Sequence, residues 1–378
     1  MDKAIYLDHA STTPTDPEVV EAMLPWFSEE FGNPSTVYSL GLTAASAVQE
    51  ARESIAGIIG AEADEIYFTS GGTESDNWAI MGAADALQKK GRHLVTSTIE
   101  HHAILETMEY LEKRGCEVTR VPVDSGGLVD PESVRKAIRP DTILVSIMHG
   151  NNEVGTIEPI AEIGKITREA GVLFHSDVVQ TAGKMPLDVS ELNVDMLSMS
   201  AHKFYGPKGV GALYVREGTK LEPFMHGAGH EGGRRAGTEN VLLDIGLGAA
   251  AELAAGLTWT AGVCELRDWL WDQLRRAWGE GVVLNGHPTQ RLPNTLNVSF
   301  VGRRGADILA ALPEVAASTG SACHADSVTL SPVLDAMGVP LDVGAGAIRF
   351  SLGRMTTHEE LATLVQRLAE VVPAEGRP

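Results

Sequence analysis

Cysteine is scarce in this chain. Three occur in 378 residues, Cys116, Cys264 and Cys323, and no two form a CxxC pair, which excludes a disulfide framework and a cysteine-rich zinc site. Positive charge is also in short supply: 30 basic residues face 51 acidic ones, for a formal net charge of −21. Such a surface repels nucleic-acid backbones and anionic membranes, so neither is expected as a direct partner. It suits docking to a basic protein and serves solubility equally. No uninterrupted long apolar run is present. The most apolar stretch, "IGLGAAAELAAGLTWTAGV" (245–263), holds Glu252 inside it and reads as a buried helix and its exit rather than a membrane span. The opening "MDKAIYLDHASTTP" lacks an apolar core flanked by basic residues, so no signal peptide is expected and a cytoplasmic location is. His226 and His230 stand four apart, but "HGAGHEGG" is too glycine-rich for a helix to align them, and no metal site is expected.

What remains is an ordinary soluble composition, 43% apolar and 21% charged, in a chain long enough for two domains with an active site between them. Between about residues 60 and 215, apolar runs alternate with helix-like segments: "EIYFTS", "HLVTSTI", "CEVTRVPVD", "TILVSIM", "VLFHSDV", "DMLSMS" and "VGALYV". Continuous apolar strands separated by helices predict an α/β fold with a mainly parallel central sheet covered on both faces. Beyond the Ala-rich helix the pattern changes. "VCELRDWLWDQLRRAW" predicts an amphipathic helix, "TLNVSFV" and "AIRFSLG" predict strands, and a closing helix starts from Thr357, as in a smaller α+β domain. The expected division is a large domain over 16–256 and a small one formed by 1–15 and 257–378.

Ligands of open α/β sheets sit at the carboxyl ends of strands, and chemistry is sought there. In "SMSAHKFYGPKGVGALYV", Lys203 stands at a strand end before a sharp Gly-Pro turn. Buried in such a place, a lysine loses its proton easily enough to act as a nucleophile or form a Schiff base; on the surface it would be one more solvated charge. "FTSGGTESDN" brings a strand through Gly71 and Gly72 into a helix at Thr73, which describes a phosphate cup and, equally, a capped helix start. Walker and dinucleotide-binding spacings are absent. Asp177 ends another strand with no lysine or arginine beside it in sequence, so it either caps the next turn or awaits a cation such as a protonated ring nitrogen. His101 and His102 stand at a further strand end, where an imidazole can stack on a flat ring and move protons, and Asn152 offers an amide at yet another. Together these match the requirements of pyridoxal 5′-phosphate.

The chain resembles the fold-type-I pyridoxal phosphate enzymes of the class V aminotransferase superfamily, and among them the cysteine desulfurases. The resemblance runs from "YLDHASTTP" through "FGNPS", "FTSGGTESDN", "NNEVG", "SAHKFYGPKGVGALYV", "HGAGHEGGRRAGTEN" and "GSAC" to "IRFSLGR". It implies that Lys203 binds the cofactor's aldehyde, that Asp177 pairs with its ring nitrogen, and that His101 stacks on the ring. Gln180 and Asn152 are implied to face the ring's phenolic oxygen or the substrate carboxylate. Gly72, Thr73, Ser200 and His202 are implied phosphate ligands, with Thr238 reaching the phosphate in a neighbouring subunit, hence a homodimer. Arg349 matches the arginine that holds the substrate carboxylate, a task its planar fork suits.

The third cysteine chooses among transaminase, lyase and desulfurase. Cys323 lies in "STGSACHADSVTLSPVL", a run of small and polar residues that reads as a mobile loop, where a thiol is a poor core filler. With the resemblance, this implies L-cysteine as substrate, Cys323 as the sulfur acceptor, His324 as a local helper or bystander, and onward transfer to a sulfur-acceptor or scaffold protein in iron-sulfur assembly or thiolation. "ACHADS" and "SPVLDAMGVPLDV" also resemble selenocysteine lyases, which leaves L-selenocysteine open as the substrate. A catalytically idle scaffold for sulfur carriers is the alternative of another class.

Overall fold

The computed structural model describes the backbone of residues 4–324 and 327–373 and the side chains of 4–320 and 329–373. Strand β1 (Ile5–Tyr6) opens the described chain. The seven apolar runs named above all form strands: β2 (Ile66–Thr69), β3 (His93–Ser97), β4 (Glu117–Val121), β5 (Thr142–Ser146), β6 (Leu173–Asp177), β7 (Met196–Ser200) and β8 (Gly211–Val215). They make one sheet in the order β2-β8-β7-β6-β5-β3-β4. Only β8 runs against its neighbours. Residues 201–210 alone connect β7 to β8, too short a link for the helical crossover that a parallel neighbour requires. That antiparallel return is the sharp turn after Lys203. Within it Tyr205 takes a left-handed φ of 70°, held by its N–H on Thr13 Oγ1 at 2.8 Å and by the Arg354 N–H donating to its hydroxyl at 2.7 Å.

The interior strands β3, β5, β7 and β8 are buried along their whole length, as strands of a sheet covered by helices on both faces must be. Edge strand β4 carries Glu117 and Arg120 instead, charges that discourage pairing with another chain.

A second, antiparallel sheet draws on β9 (Val282–Asn285), β10 (Thr295–Phe300) and β12 (Ser318–Thr319), while β11 (Val315–Ala316) forms a separate parallel pair with β1. After β13 (Ser321–His324) and β14 (Ser327–Leu330) comes β15 (Ala347–Ser351), and the sheet order is β12-β15-β10-β9. Strands β13 and β14 pair with each other, with Cys323 opposite Val328. The run read as a loop is therefore a β-hairpin. Val328, Thr329 and Leu330 supply the strand preference that the small residues before them conceal. The closing helix, His358–Val371, starts where expected, with Thr357 as its cap in a reciprocal pair with Glu360.

The apolar cores separate along the same line. One cluster runs from Val19 to Ala254 within the large sheet and its helices, and another joins Ile5 and Leu7 to residues between Val263 and Val372. A small cluster of Ile99, Met148 and Val154 with Val333, Leu334 and Ala347 packs the two against each other. Among the described residues, no helix is long and apolar enough to cross a membrane.

Candidate active site

At the carboxyl edge of the large sheet lies a cavity of about 420 Å³, inside the range of about 300–1,000 Å³ usual for small-molecule sites. Its lining includes Gly72, Thr73, His101, Asn152, Asp177, Gln180, Ser200, His202, Lys203 and Arg349. Ten residues singled out from sequence thus converge, five of them contributed by the ends of β6 and β7 and the turns that follow. Thr238 lies elsewhere, in a separate cavity beside Ser70, Gly237 and Asp244. Cys323 and His324 hold backbone positions in β13, and their side chains lie outside the described residues.

Lys203 Nζ donates to the carbonyls of Ala10 at 2.7 Å and Ser11 at 2.8 Å. Burial, reinforced by the Arg349 charge, brings the amine down to about 8, against opposition from Asp177 and Asp8. About a tenth of it is then neutral and nucleophilic at pH 7, some hundreds of times more than for an ordinary lysine. Asp177 is 6% exposed, and burial lifts its carboxyl to about 6. Its Oδ1 accepts the Val179 N–H at 2.8 Å, so the turn-capping reading is correct as far as it goes. One backbone donor does not balance a buried carboxylate, and a cation in the cavity would.

Gly71 precedes the helix Gly72–Leu87 at a φ of 147°, a conformation glycine alone adopts freely, and places no side chain over the helix start. Nearby, a Cβ on Gly211 would approach Gly71 Cα to 2.7 Å, so β8 passes tightly under this turn. The first-turn N–H groups of this helix, with Thr73, Ser200 and His202 lining the same cavity, suit an anion. His202 Nδ1 contacts Thr12 Oγ1 at 3.1 Å, and burial first, then the nearby lysines, lowers its pKa to about 4, so the ring is neutral. His101 caps the helix His102–Glu112: its Nδ1 accepts the Ala103 N–H at 3.1 Å, which places the ring proton on Nε2. Burial and the Lys203 charge push its pKa below the usual value. A basic amine, an acid awaiting a cation, a neutral imidazole and an anion seat together fit pyridoxal 5′-phosphate.

Arg349, in β15, is held on several sides: Nη1 donates to Asn152 O at 2.6 Å, and Nη2 to Asp8 Oδ1 at 2.7 Å, Ser11 Oγ at 2.7 Å and Ser318 Oγ at 3.0 Å. Its Nε is buried without a partner.

Sequence reading passed over Asp76, Lys184, Asp8, Ser11 and Ser318. Asp76 lines the cavity and is 1% exposed; burial, then the Asp177 charge, drives its carboxyl well above the ordinary range. His175 lies 3.7 Å away, between Ser146 and Ser198, but burial lowers it to about 3, so the contact joins two neutral groups and is not an ion pair. Asp76 stands three and four positions beyond Thr73 and Gly72 on one helix, a spacing that shares a face and could have flagged it. Lys184 is 3% exposed and donates to Gln180 O at 3.0 Å, while Gln180 Nε2 donates to Ala10 O at 3.0 Å. The other two cysteines are poor nucleophiles: burial raises the pKa of both Cys116 and Cys264, and neither lines the cavity.

The family model described as aminotransferase class-V matches residues 5–364. A protein of Methanosarcina thermophila named cysteine desulfurase IscS is 52% identical over 375 residues, covering 98% of this chain and 91% of that one. A solved structure described as a NifS-like protein superposes with a TM-score of 0.91 at 40% identity, covering 97% of this chain and 99% of the other. Another, described as SspA in complex with cysteine, gives a TM-score of 0.82 at 38% identity, covering 93% and 99%.

Proposed function

The chain belongs to the aminotransferase class-V family and acts as a cysteine desulfurase, and on that premise we propose how its residues divide the reaction. Lys203 would hold the aldehyde of pyridoxal 5′-phosphate, Asp177 would pair with the ring nitrogen and His101 would cover the ring. Gln180 and Asn152 would face the ring's oxygen or the substrate, while Gly72, Thr73, Ser200 and His202 would hold the phosphate. When bound, the cofactor takes up the electron pair released at the α-carbon, which makes that carbon's proton removable. Arg349 anchors the α-carboxylate of L-cysteine. Lys203 and His101 are the groups within the cavity able to carry protons away from and back to carbon. Cys323 as thiolate attacks the substrate sulfur: an S–S bond forms, the C–S bond breaks with its electron pair left on carbon, and protonation there completes L-alanine. The sulfur stays on Cys323 as a persulfide for transfer to an acceptor protein.

One observation carries this reading. Arg349 lines the cavity that holds Lys203, Ser318 stands opposite it in the sheet, and Cys323 follows Ser318 by five residues. Five residues reach roughly 18 Å at full extension, which keeps the thiol within range of a substrate anchored at Arg349. The two separate cores support a large domain over 16–256 and a small one formed by 1–15 and 257–378. A homodimer is supported by Thr238 lying outside its own chain's cavity and by exposed apolar side chains such as Phe27, Phe31, Val37 and Tyr38, of which Val37 is 89% exposed.

The test is direct. Purified protein loaded with the cofactor should show its visible absorbance and release alanine and sulfide from L-cysteine in the presence of a thiol reductant. A parallel assay with L-selenocysteine, whose selenide is the better leaving group, ranks the two substrates. Cys323→Ala should lose sulfide release while keeping the absorbance change on adding L-cysteine; alanine made at the parent rate by this variant would defeat the persulfide step.

A further inference from the structure

Asp8 has no part in the reaction just described, yet it meets that reaction's carboxylate anchor directly. One oxygen, Oδ1, accepts from Arg349 Nη2 at 2.7 Å and from Ser318 Oγ at 2.8 Å. Ser318 Oγ in turn accepts from the same Nη2 at 3.0 Å, closing a triangle of three side chains. Each corner comes from a different segment. Asp8 follows β1 and bridges Ser351 of β15, Ser318 belongs to β12, and Arg349 to β15. Ser318 and Arg349 are direct partners across the sheet. Two residues beyond Ser318, the N–H of Gly320 donates to Ala347 O at 3.1 Å while its carbonyl accepts from Ser331, which fixes the base of the hairpin that carries Cys323.

A guanidinium has five N–H groups in a plane, and its value as a carboxylate anchor depends on which of them are committed. Here Nη2 is engaged by Asp8, Ser11 and Ser318, and Nη1 by Asn152 O, while Nε is buried without a partner. An unpaired buried N–H is unfavourable and awaits an acceptor. Resting on the assignment of Arg349 to the substrate carboxylate, we propose that Asp8 is a positioning residue for it. By holding Nη2 and Ser318 with a single oxygen, it fixes the orientation of the guanidinium that meets the incoming carboxylate, and it ties the strand leading to Cys323 to the same anchor. Asp8 does not touch the reacting atoms. Its effect is on discrimination: a substrate with an α-carboxylate is preferred over one without.

The experiment measures binding to the loaded enzyme by the cofactor's absorbance, using L-alanine and its neutral relative L-alaninamide. The parent is expected to prefer L-alanine, and Arg349→Ala to lose that preference. Absence of either result would defeat the Arg349 assignment itself. Given both, Asp8→Ala should cut the preference at least tenfold by weakening L-alanine binding while alaninamide binding stays within about twofold. Asp8→Asn, which keeps an acceptor for Nη2 and Ser318, should fall between parent and Asp8→Ala. An Asp8→Ala variant with the parent's preference, or one that weakens both ligands alike, overturns the proposal. Should Asp8→Ala take up no cofactor, Ser318→Ala carries the test: a fall of about threefold in the preference is expected, and no fall contradicts it.

Discussion

The cavity has two kinds of wall. The strand ends of the large sheet contribute Asp177, Ser200, His202 and Lys203 within a few residues of buried backbone, so these groups are fixed by the same packing that makes the sheet. The antiparallel sheet contributes differently. Arg349 is fixed by a web of hydrogen bonds to Asp8, Ser11, Asn152 and Ser318, and Cys323 rides on a hairpin joined to that web through Ser318 and Gly320. A cofactor that stays through many turnovers suits the first kind of wall. A thiol proposed to meet a substrate and then an acceptor protein suits the second.

The largest expected effect breaks the first wall. Lys203→Ala should lower sulfide release by about 10³-fold or more, since it removes both the cofactor's attachment and a proton carrier; assaying alanine and sulfide from L-cysteine measures it. Asp177→Asn should follow at about 10²-fold, because an amide cannot answer a ring cation with charge, and the absorbance of the bound cofactor should shift along with the rate. Moving to the second wall, Arg349→Lys keeps the charge but not the fork. The KM for L-cysteine should rise about 10- to 100-fold with a smaller change in kcat, as separate fits of the two constants would reveal.

A pH experiment separates the walls differently. Lys203 is lowered to about 8, and in the proposed assignment its neutral form is the nucleophile. Cofactor capture by the unloaded protein should therefore accelerate about tenfold per pH unit below 8 and level off above it. Stopped-flow absorbance reads this rate, and a profile still climbing steeply at pH 10 would mean that burial does not lower the amine. The smallest effect completes the contrast: Cys116→Ser and Cys264→Ser should each leave sulfide release within about twofold of the parent, since neither thiol lines the cavity.

The first wall was legible in the sequence and the second largely was not. Fully buried strands write themselves as unbroken apolar runs, and the residue that ends each run, Asp177 or Ser200, marks the functional edge. Lys203, His101 and Thr73 follow within a few positions, so local reading finds them. Asp8, Ser11 and Ser318 reach Arg349 from sites up to 341 residues away in the chain, and a lone serine or aspartate carries no periodic signal. Their convergence is a product of topology. The hairpin around Cys323 was hidden because Ser321, Ala322 and Asp326 read as loop residues, while the pairing with β14 that makes β13 a strand is a contact no local window contains.

Mass analysis of the peptide bearing Cys323, after one turnover of the loaded enzyme with L-cysteine and quenching by an alkylating agent, tests the account most directly. The account predicts that Cys323 gains one sulfur atom, removable by a reducing thiol, in step with alanine formation. Alanine formed at the full rate with Cys323 unmodified, or with the extra sulfur on Cys116 or Cys264, would contradict it.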